Sequence, residues 1–296
     1  MDIVPSMFLS RRHFIASAAA ALSSVPAWAA LGHPIAERLS RELAVVGDCA
    51  SRAAIEGTLT RLGRLLLPSS GRLVVVNVAG RFLAAYRDGE PELESRVVVG
   101  RDGWHTPDLA TSVASVTLNP TWTVPETILR DEGWRGELAS DPGWAERNGF
   151  DVLLGGRRVA ADRVGTAELL KATLVQRPGA DNALGRMKIA MRNAGSIYLH
   201  DTNEPGGFDD PGHSGSHGCV RVELALELAT WVLGASGPEV ADLVLGGSTI
   251  VRTTPEPVPV VFGYFTAWPD AVGRVAYYPD IYRRDAAGCE QEDEAR

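Results

Sequence analysis

Hydrophobic residues near the beginning of the sequence recur at helical spacing. Between Ile35 and Leu66, apolar side chains return every three or four positions, as expected for helices that bury one face. The stretch Pro68-Ser69-Ser70-Gly71 then ends this pattern. We therefore expect two amphipathic helices in residues 34–67, within a helical N-terminal segment that covers residues 30–69.

The pattern changes to short β-branched runs after residue 70. Residues 73–78, 82–86 and 95–100 are rich in strand-forming residues, and the turn signals Ala79-Gly80-Arg81 and Asp88-Gly89 separate them. Glycine-containing turns between such runs are typical of β-hairpins. We expect a β-rich domain over residues 70–285, with further strands at 113–118, 187–192, 196–199 and 262–267 and a helix at 222–233.

Two other parts of the chain have a different character. Residues 125–182 are polar and rich in turn signals such as Asp141-Pro142-Gly143. A connection of this length inside a compact domain is typically a lid or a small subdomain, and we call it the capping segment. Residues 286–296 are acidic, and we expect a flexible tail there. The predicted fold class is mainly β with α, that is α+β.

Composition and charge restrict the kinds of partner that the protein can have. The 296 residues are 45% hydrophobic and 22% charged, which excludes a fully disordered, collagen-like or coiled-coil protein. The formal net charge is −8. No basic surface is therefore indicated for a nucleic acid or an anionic membrane, and we expect neither as a partner.

The first 29 residues have the features of an export signal. Arg11-Arg12 precedes an apolar, alanine-rich run at 14–25, which is shorter than the roughly 20 residues that a membrane helix needs. Ala27 and Ala29 are small residues spaced as at the cleavage site of a signal peptide. The alternative is a short helix that docks on the domain. The arrangement resembles a bacterial twin-arginine signal peptide over residues 1–29, which predicts a periplasmic protein without a membrane segment in the mature chain.

The sequence contains three cysteines, Cys49, Cys219 and Cys289. The periplasm is oxidising, and an odd number of cysteines leaves at least one thiol or an intermolecular bond. We predict that Cys219 keeps its thiol and that Cys49 pairs with Cys289. The alternative, in which Cys49 and Cys289 are both unpaired thiols, stays open at this point.

The strongest chemical signal lies in the second half of the chain. His200 follows an apolar stretch, and the string Ser216-His217-Gly218-Cys219-Val220-Arg221 precedes the predicted helix at 222–233. A nucleophilic cysteine needs a base that takes its proton and donors that bind an oxyanion. His200 and His217 are the imidazoles available to Cys219, and the positive end of the predicted helix would favour a thiolate.

Two other interpretations fit the same residues. His200 and His217 together with Cys219 and Asp201 would also suit zinc. The usual spacing of zinc ligands is matched here only by His213 and His217. A buried structural cysteine beside a hydrogen-bonded histidine is the second alternative.

This string resembles the signature of the L,D-transpeptidase catalytic domain, also called the YkuD domain. In that signature a histidine is followed, about fourteen to seventeen residues later, by Ser/Thr-His-Gly-Cys, a hydrophobic residue and Asn or Arg. Here fifteen residues separate His200 from Ser216-His217-Gly218-Cys219-Val220-Arg221. The resemblance to the larger, periplasmic branch of the family covers roughly residues 60–285 and includes the stretches 75–78, 119–125, 176–185, 198–202 and 264–268.

The resemblance implies a fold and a set of roles. The implied fold is a YkuD-like β-sandwich or barrel with a capping subdomain and a short N-terminal helical segment. Cys219 would be the nucleophile and His200 the general base, without a cofactor or a metal. Arg221 would hold a substrate carboxylate, or else form a structural salt bridge. The other implied roles are orienting or oxyanion-binding functions for Ser216, His217 and Gly218 and substrate contacts for Asn182 and Tyr198.

The implied reaction is an acyl transfer on the stem peptides of peptidoglycan. Cys219 would form an acyl-enzyme on a tetrapeptide stem and release D-alanine. An amine of a second stem would then accept the acyl group and give a 3-3 crosslink, or an outer-membrane lipoprotein would accept it. The alternatives are a carboxypeptidase or an amidase with the same Cys/His site, and a catalytically inactive wall-binding module.

Overall fold

The computed structural model describes residues 33–65, 67–192, 197–210, 214–270 and 272–285. The predicted export signal at 1–29, His213, and the predicted tail at 286–296 with Cys289 lie outside these residues. Among the residues described, no helix combines the length and the hydropathy that a membrane span requires.

The helices of the described chain belong to three groups: a pair at the N-terminal end, four short helices in the capping segment and a pair that follows Cys219. In chain order they are α1 (Pro34–Leu43), α2 (Cys49–Leu65), α3 (Glu126–Asp131), α4 (Trp134–Ser140), α5 (Gly143–Arg147), α6 (Thr166–Leu169), α7 (Ala225–Leu233) and α8 (Gly237–Leu245). The prediction of two helices in residues 34–67 is confirmed.

The strands are mostly short. In chain order they are β1 (Arg72–Asn77), β2 (Phe82–Arg87), β3 (Glu90–Gly100), β4 (Leu109–Leu118), β5 (Trp122–Thr123), β6 (Phe150–Leu154), β7 (Arg157–Val159), β8 (Thr173–Gln176), β9 (Met187–Met191), β10 (Tyr198–His200), β11 (Ser214–Ser216), β12 (Val220–Val222), β13 (Ile250–Arg252), β14 (Pro259–Gly263), β15 (Ala267–Pro269) and β16 (Val275–Tyr277).

A mixed β-sheet that closes on itself forms the centre of the molecule. Within the described residues the strand order is β11-β3-β12-β10-β9-β4-β14-β1-β2, with β13 beside β4, and β2 also pairs with β3. The β2–β3 pairing turns the sheet into a barrel. The pairs β1–β14 and β10–β12 are parallel. The fold class predicted from the sequence, mainly β with helices around a sandwich or barrel, is confirmed.

The first strand shows why its sequence is apolar at nearly every position. Val74 and Val76 point into the barrel and belong to its core, whereas Leu73 and Val75 point outward and pack under the N-terminal helices. Both faces of β1 are therefore buried, and the alternation of polar and apolar residues disappears. Strand β2 follows and turns into β3 at Asp88 and Gly89, which have φ values of 52° and 87°. These left-handed conformations are those of the predicted hairpin turn.

The N-terminal helices cover the outer face of this part of the barrel. Leu39 of α1 and Ile55 and Leu59 of α2 are fully buried in a cluster that also contains Trp268. Cys49, the first residue of α2, is disulfide-bonded. The predicted partner, Cys289, is not among the described residues, so this pairing stays a prediction.

The capping segment forms a small sheet with its own hydrophobic core. Strands β5, β8, β6 and β7 pair in that order, and β5 lies just before the segment begins. Leu129, Leu138 and Leu174 are buried in its core, together with Trp122 of β5. The segment is therefore a folded unit of helices and strands and not an extended loop.

Three predicted elements have different bounds in the structure. The helix predicted at 222–233 begins at Ala225, because Val220–Val222 is a strand that pairs with β10 and β3. The last barrel strand is Pro259–Gly263 instead of 262–267. A Cβ at Gly263, the last residue of this strand, would lie 2.0 Å from the ring of Phe265, so a side chain there would clash with that ring. Strand β3 begins at Glu90, earlier than the predicted start at residue 95.

Candidate active site

Two neighbouring parallel strands bring together the residues that the sequence separates. In the β10–β12 pair, Leu199 lies opposite Val220 and His200 lies opposite Arg221. Cys219 directly precedes β12 and is therefore beside Tyr198, the first residue of β10. Side chains two positions apart share one face of a sheet. His200 and Tyr198 accordingly lie on one face, with ring centroids 5.7 Å apart.

The imidazole of His200 is held in one orientation. Its Nδ1 lies 2.5 Å from the backbone carbonyl oxygen of Asp201, to which it donates a hydrogen bond. This bond assigns the proton to Nδ1 and leaves Nε2 as the acceptor. Burial, together with the positive charge of Arg221, lowers the pKa of His200 to about 3. His200 is therefore a neutral imidazole at neutral pH.

Cys219 keeps its thiol, as predicted, and this thiol is largely enclosed. Burial raises the pKa of the Cys219 thiol, whereas the backbone N–H and hydroxyl of Tyr198, which donate to the sulfur, lower it. The predicted support from a helix N-terminus is wrong, because a strand and a turn separate Cys219 from the first residue of α7. The local donors to the sulfur come from strand β10 instead.

Ser216 and Gly218 fix the turn that carries Cys219. The Ser216 hydroxyl donates a hydrogen bond to the carbonyl oxygen of Cys219, and it accepts one from the Gly218 N–H at 3.1 Å. Gly218 has a φ of 100°, which L-residues rarely adopt. The orienting role predicted for Ser216 agrees with these contacts. The Gly218 N–H is used inside the turn, so an oxyanion would have to be bound by other donors.

Arg221 lies one residue pair further along the same strands. Its Nη1 donates to Oε2 of Glu204 at 2.8 Å, and both side chains line the cleft described below. The guanidinium is mostly buried, with 19% of its side chain exposed, while the Glu204 side chain is 64% exposed. The two predicted roles of Arg221, a salt bridge and a carboxylate contact, are compatible in this geometry, because Glu204 can move into solvent.

The side chain of His217 contacts the capping segment. Its Nε2 lies 3.1 Å from Oδ2 of Asp131 and 3.2 Å from Oε1 of Glu132. Arg101 Nη2 lies 2.9 Å from the same nitrogen and also bonds to Asp131. These carboxylates and His217 have the spacing of a possible metal site. Because Arg101 lies among them, its guanidinium already supplies the positive charge, and we describe the group as an ion-pair network.

Asn182 has a different role from the predicted substrate contact. Its side chain is buried, and its Nδ2 donates to the carbonyl oxygens of Pro120 and Arg177 at 3.1 Å and 2.9 Å. Its Oδ1 accepts from the Leu184 N–H at 2.8 Å. These bonds join the end of the capping segment to the barrel and use the whole amide. Asn182 is thus a structural residue at the base of the segment.

A cleft of about 990 Å³ separates the capping segment from the barrel. Its barrel side carries Cys219, His200 and Tyr198 among its lining residues. The opposite wall consists of the aromatic side chains Trp122, Trp134, Trp144 and Phe150. The indole N–H of Trp122 is buried beside the Tyr198 hydroxyl. The cleft thus combines a thiol, an imidazole and a buried hydrogen-bond donor.

Sequence reasoning missed residues that lie outside the motif in the sequence but contact site residues in the fold. Arg101, Asp131 and Glu132 are ordinary surface charges in the sequence, and only the fold brings them to His217. Lys188 lies on β9, with its Nζ 4.1 Å from the centroid of the Tyr198 ring. One signal was available for Lys188: the sequence has only two lysines, Lys171 and Lys188, and otherwise uses arginine.

Comparison with known families decides the relationship. The sequence model of the L,D-transpeptidase catalytic domain (YkuD) matches residues 71–260, which is more than half of the chain. The chain belongs to this family. The matched region contains strands β1 to β13, which include the sheet of the capping segment, and both residues of the Cys219/His200 pair.

Individual relatives are more distant. A Haemophilus influenzae protein that carries the L,D-transpeptidase designation is 31% identical over 229 residues, which cover 74% of this chain and 46% of the relative. The chain thus spans about half the length of that curated relative. The L,D-transpeptidase structure from Xylanimonas cellulosilytica is similar over 77% of this chain and 79% of its own, with 14% identity and a TM-score of 0.29. The Mycobacterium smegmatis L,D-transpeptidase has 14% identity, coverage of 66% and 59%, and a TM-score of 0.30.

Proposed function

We propose that this protein is a cysteine-dependent peptidoglycan L,D-transpeptidase. The observation that carries the proposal is the β10–β12 pairing, which places Cys219 and His200 in the same cleft. Membership of the L,D-transpeptidase family supports the choice of substrate, the stem peptides of peptidoglycan. The proposed catalytic domain covers residues 70–285 and includes the capping segment at 125–182.

The first half-reaction forms an acyl-enzyme. The Cys219 thiol gives its proton to Nε2 of His200 while the sulfur attacks the carbonyl carbon of the third stem residue. His200 then protonates the nitrogen of the terminal D-alanine, the C–N bond breaks, and D-alanine departs. The rest of the stem stays bound to Cys219 as a thioester. The thiolate and the imidazolium form together, so each charge stabilises the other in a site where burial opposes both.

An oxyanion develops on the attacked carbonyl and needs hydrogen-bond donors. The Tyr198 hydroxyl donates to the sulfur, and burial raises the pKa of Tyr198, so the hydroxyl stays protonated. The indole N–H of Trp122, which is buried beside the Tyr198 hydroxyl, is a second donor in the cleft. We assign both groups to the oxyanion and the adjacent stem, in place of the Gly218 N–H.

The second half-reaction transfers the acyl group to an amine. An amine of a second stem attacks the thioester, His200 takes its proton, and the Cys219 thiolate leaves and regains that proton. The product is a 3-3 crosslink. The same chemistry would attach an outer-membrane lipoprotein through an amine of that protein. By covering the cleft, the capping segment would limit the competing attack by water.

The proposed location is the periplasm. Residues 1–29 would act as a twin-arginine signal, residues 30–69 as a helical segment that packs on the catalytic domain, and residues 286–296 as a tail. The disulfide at Cys49 supports this proposal, because disulfides persist in oxidising compartments and are rare in reducing ones.

The test is a product analysis with purified muropeptides. The mature protein is incubated with disaccharide tetrapeptides, and the products are identified by mass spectrometry. We expect dimers that have lost D-alanine, and we expect Cys219→Ala to form none while it melts like the wild type. Tripeptides alone would indicate a carboxypeptidase. Turnover by Cys219→Ala, or no product from the wild type, would contradict the proposal.

A further inference from the structure

The resting site contains a thiol and a base that are both neutral. Burial raises the pKa of Cys219, and burial lowers the pKa of His200. Nucleophilic attack nevertheless needs a thiolate. A positive charge close to the sulfur would favour it, and the helix that the sequence predicted for this purpose begins too far away. The face of the sheet around Cys219 carries such a cation.

Lys188 occupies the required position. On β9 it is the antiparallel partner of His200, so the two side chains lie on the same face of the sheet. Its Nζ lies 4.1 Å from the centroid of the Tyr198 ring, within cation–π distance. The register of the β10–β12 pair sets Tyr198 beside Cys219, and hydrogen bonding by Tyr198 lowers the pKa of the Cys219 thiol. Lys188, Tyr198 and Cys219 thus lie side by side on neighbouring strands.

The surroundings of Lys188 leave its charge available to the sulfur. Burial lowers the pKa of Lys188, and the negative charge of a Cys219 thiolate is the group that raises it. No carboxylate of the described residues forms an ion pair with Lys188. A protein that otherwise uses arginine for its cations thus places one of its two lysines beside the nucleophile.

We propose that Lys188 is a positioning residue of this active site: its ammonium holds the Tyr198 ring and hydroxyl against the Cys219 sulfur and supplies positive charge that favours the thiolate. The inference rests on the proposed role of Cys219 as the nucleophile. It adds a residue outside the His200 and Ser216–Arg221 motif that the sequence identifies. The charge acts through Tyr198 and across the sheet, and Lys188 itself does not contact the attacked carbonyl.

The other titratable groups around the sulfur interact with other partners. His200 lies on β10 and donates to the Asp201 carbonyl. Arg221 pairs with Glu204. His217 interacts with the carboxylates of the capping segment. Lys188 on β9 and Tyr198 on β10 are the groups that act on the Cys219 pKa through charge and hydrogen bonds.

The experiment measures the pH dependence of Cys219 alkylation by iodoacetamide, read by peptide mass spectrometry. We expect Lys188→Met to raise the apparent pKa of Cys219 by about one unit or more. Alkylation at neutral pH then slows by about tenfold. Lys188→Arg keeps the charge and should stay near the wild-type profile. Lys171→Met, which removes the exposed lysine of the capping segment, is the matched control and should not differ from the wild type.

A second measurement keeps Lys188 in place and therefore does not require Lys188→Met to fold. Lysines labelled with 15N give two side-chain signals, one for Lys171 and one for Lys188. Because coupling between two sites is reciprocal, Cys219→Ser should lower the pKa of Lys188 and leave that of Lys171 unchanged. An unchanged Lys188 titration in Cys219→Ser, or an unshifted alkylation profile in folded Lys188→Met, would overturn the inference.

These readouts are separate from turnover. If Lys188→Met shifts the Cys219 titration but the wild type forms no product from muropeptides, the proposed function fails and the role of Lys188 at the thiol stands. If muropeptide dimers form but neither titration responds, the function stands and the role of Lys188 is wrong.

Discussion

At the scale of single residues, the site depends on burial that keeps reactive groups uncharged. His200 is held by the Asp201 carbonyl, and burial depresses its pKa to about 3. Cys219 is enclosed, and its pKa is raised. In the proposed mechanism, charge separation therefore takes place only when the thiol proton moves to the imidazole. A buried neutral histidine also has a consequence for stability, because the unfolded chain can protonate it.

The first prediction concerns acid stability and His200. Above the unfolded-state pKa of about 6.5, the imidazole is neutral in both states and has no effect. Below it, the unfolded chain binds a proton that the folded chain does not bind until the pH approaches 3. The free energy of unfolding therefore falls by up to about 1.4 kcal/mol per pH unit. His200→Gln should lose less stability on acidification than the wild type.

Chemical denaturation at several pH values between neutral and moderately acidic measures this difference. His105→Gln is the control, since His105 lies on the surface and its ring stacks on Tyr282. It should keep the acid dependence of the wild type. Equal acid dependence of His200→Gln and the wild type would show that His200 is protonated normally in the folded protein.

At the scale of elements, the turn at residues 217–219 and the capping segment are joined by one ion-pair network. His217 precedes Gly218 and Cys219 in the turn, and it contacts Asp131 at the end of α3 and the adjacent Glu132. Arg101, just after β3, completes the network. The cover of the cleft and the loop that carries the thiol therefore share direct contacts.

The second prediction removes the carboxylates of this network. Asp131→Asn combined with Glu132→Gln should change the free energy of unfolding by less than about 1 kcal/mol, because all of these side chains are partly exposed. The loosened capping segment should admit water. We expect the ratio of hydrolysed tripeptide to crosslinked dimer to rise about threefold or more.

Mass spectrometry of the muropeptide products gives this ratio directly. Glu137→Gln, which neutralises an exposed carboxylate on α4 in the same segment, is the matched control and should keep the wild-type ratio. A wild-type ratio in the Asp131/Glu132 variant would mean that the network does not hold the capping segment over the thioester.

The elements also show what the sequence can and cannot predict. Strand β1 and the Asp88-Gly89 hairpin were predictable because their signals are local. The start of α7 was not, since Val222 continues the apolar pattern of the following helix, and only its pairing with β3 decides for the strand. His200 and Cys219 were predictable from a motif.

Residues such as Asp131 and Lys188 could not be predicted as site residues. Their neighbours at the site, His217 and Tyr198, lie far away in the sequence or across a strand pair, and no local pattern marks them. Asn182 illustrates the reverse case. It lies in the stretch 176–185, whose resemblance to the L,D-transpeptidase family suggested a substrate contact. Its burial and its four hydrogen bonds within the protein instead give it a structural role.

At the scale of the whole molecule, barrel closure assembles the site. The β2–β3 pairing closes the sheet, and β3 pairs with both β12 and β11, which flank the turn at 217–219. The N-terminal helices support the opposite side of the barrel, and the capping segment covers the cleft. The central claim is that this assembly makes Cys219 the residue that carries the acyl group.

Detection of the covalent intermediate tests that claim most directly. The protein is mixed with a disaccharide tetrapeptide without an acceptor, quenched in acid, and analysed by intact-mass and peptide-mapping mass spectrometry. We predict a mass increase equal to the substrate minus D-alanine, located on the peptide that contains Cys219, and its absence in Cys219→Ala. Product formation without an adduct on Cys219, or an adduct on another residue, would contradict the claim.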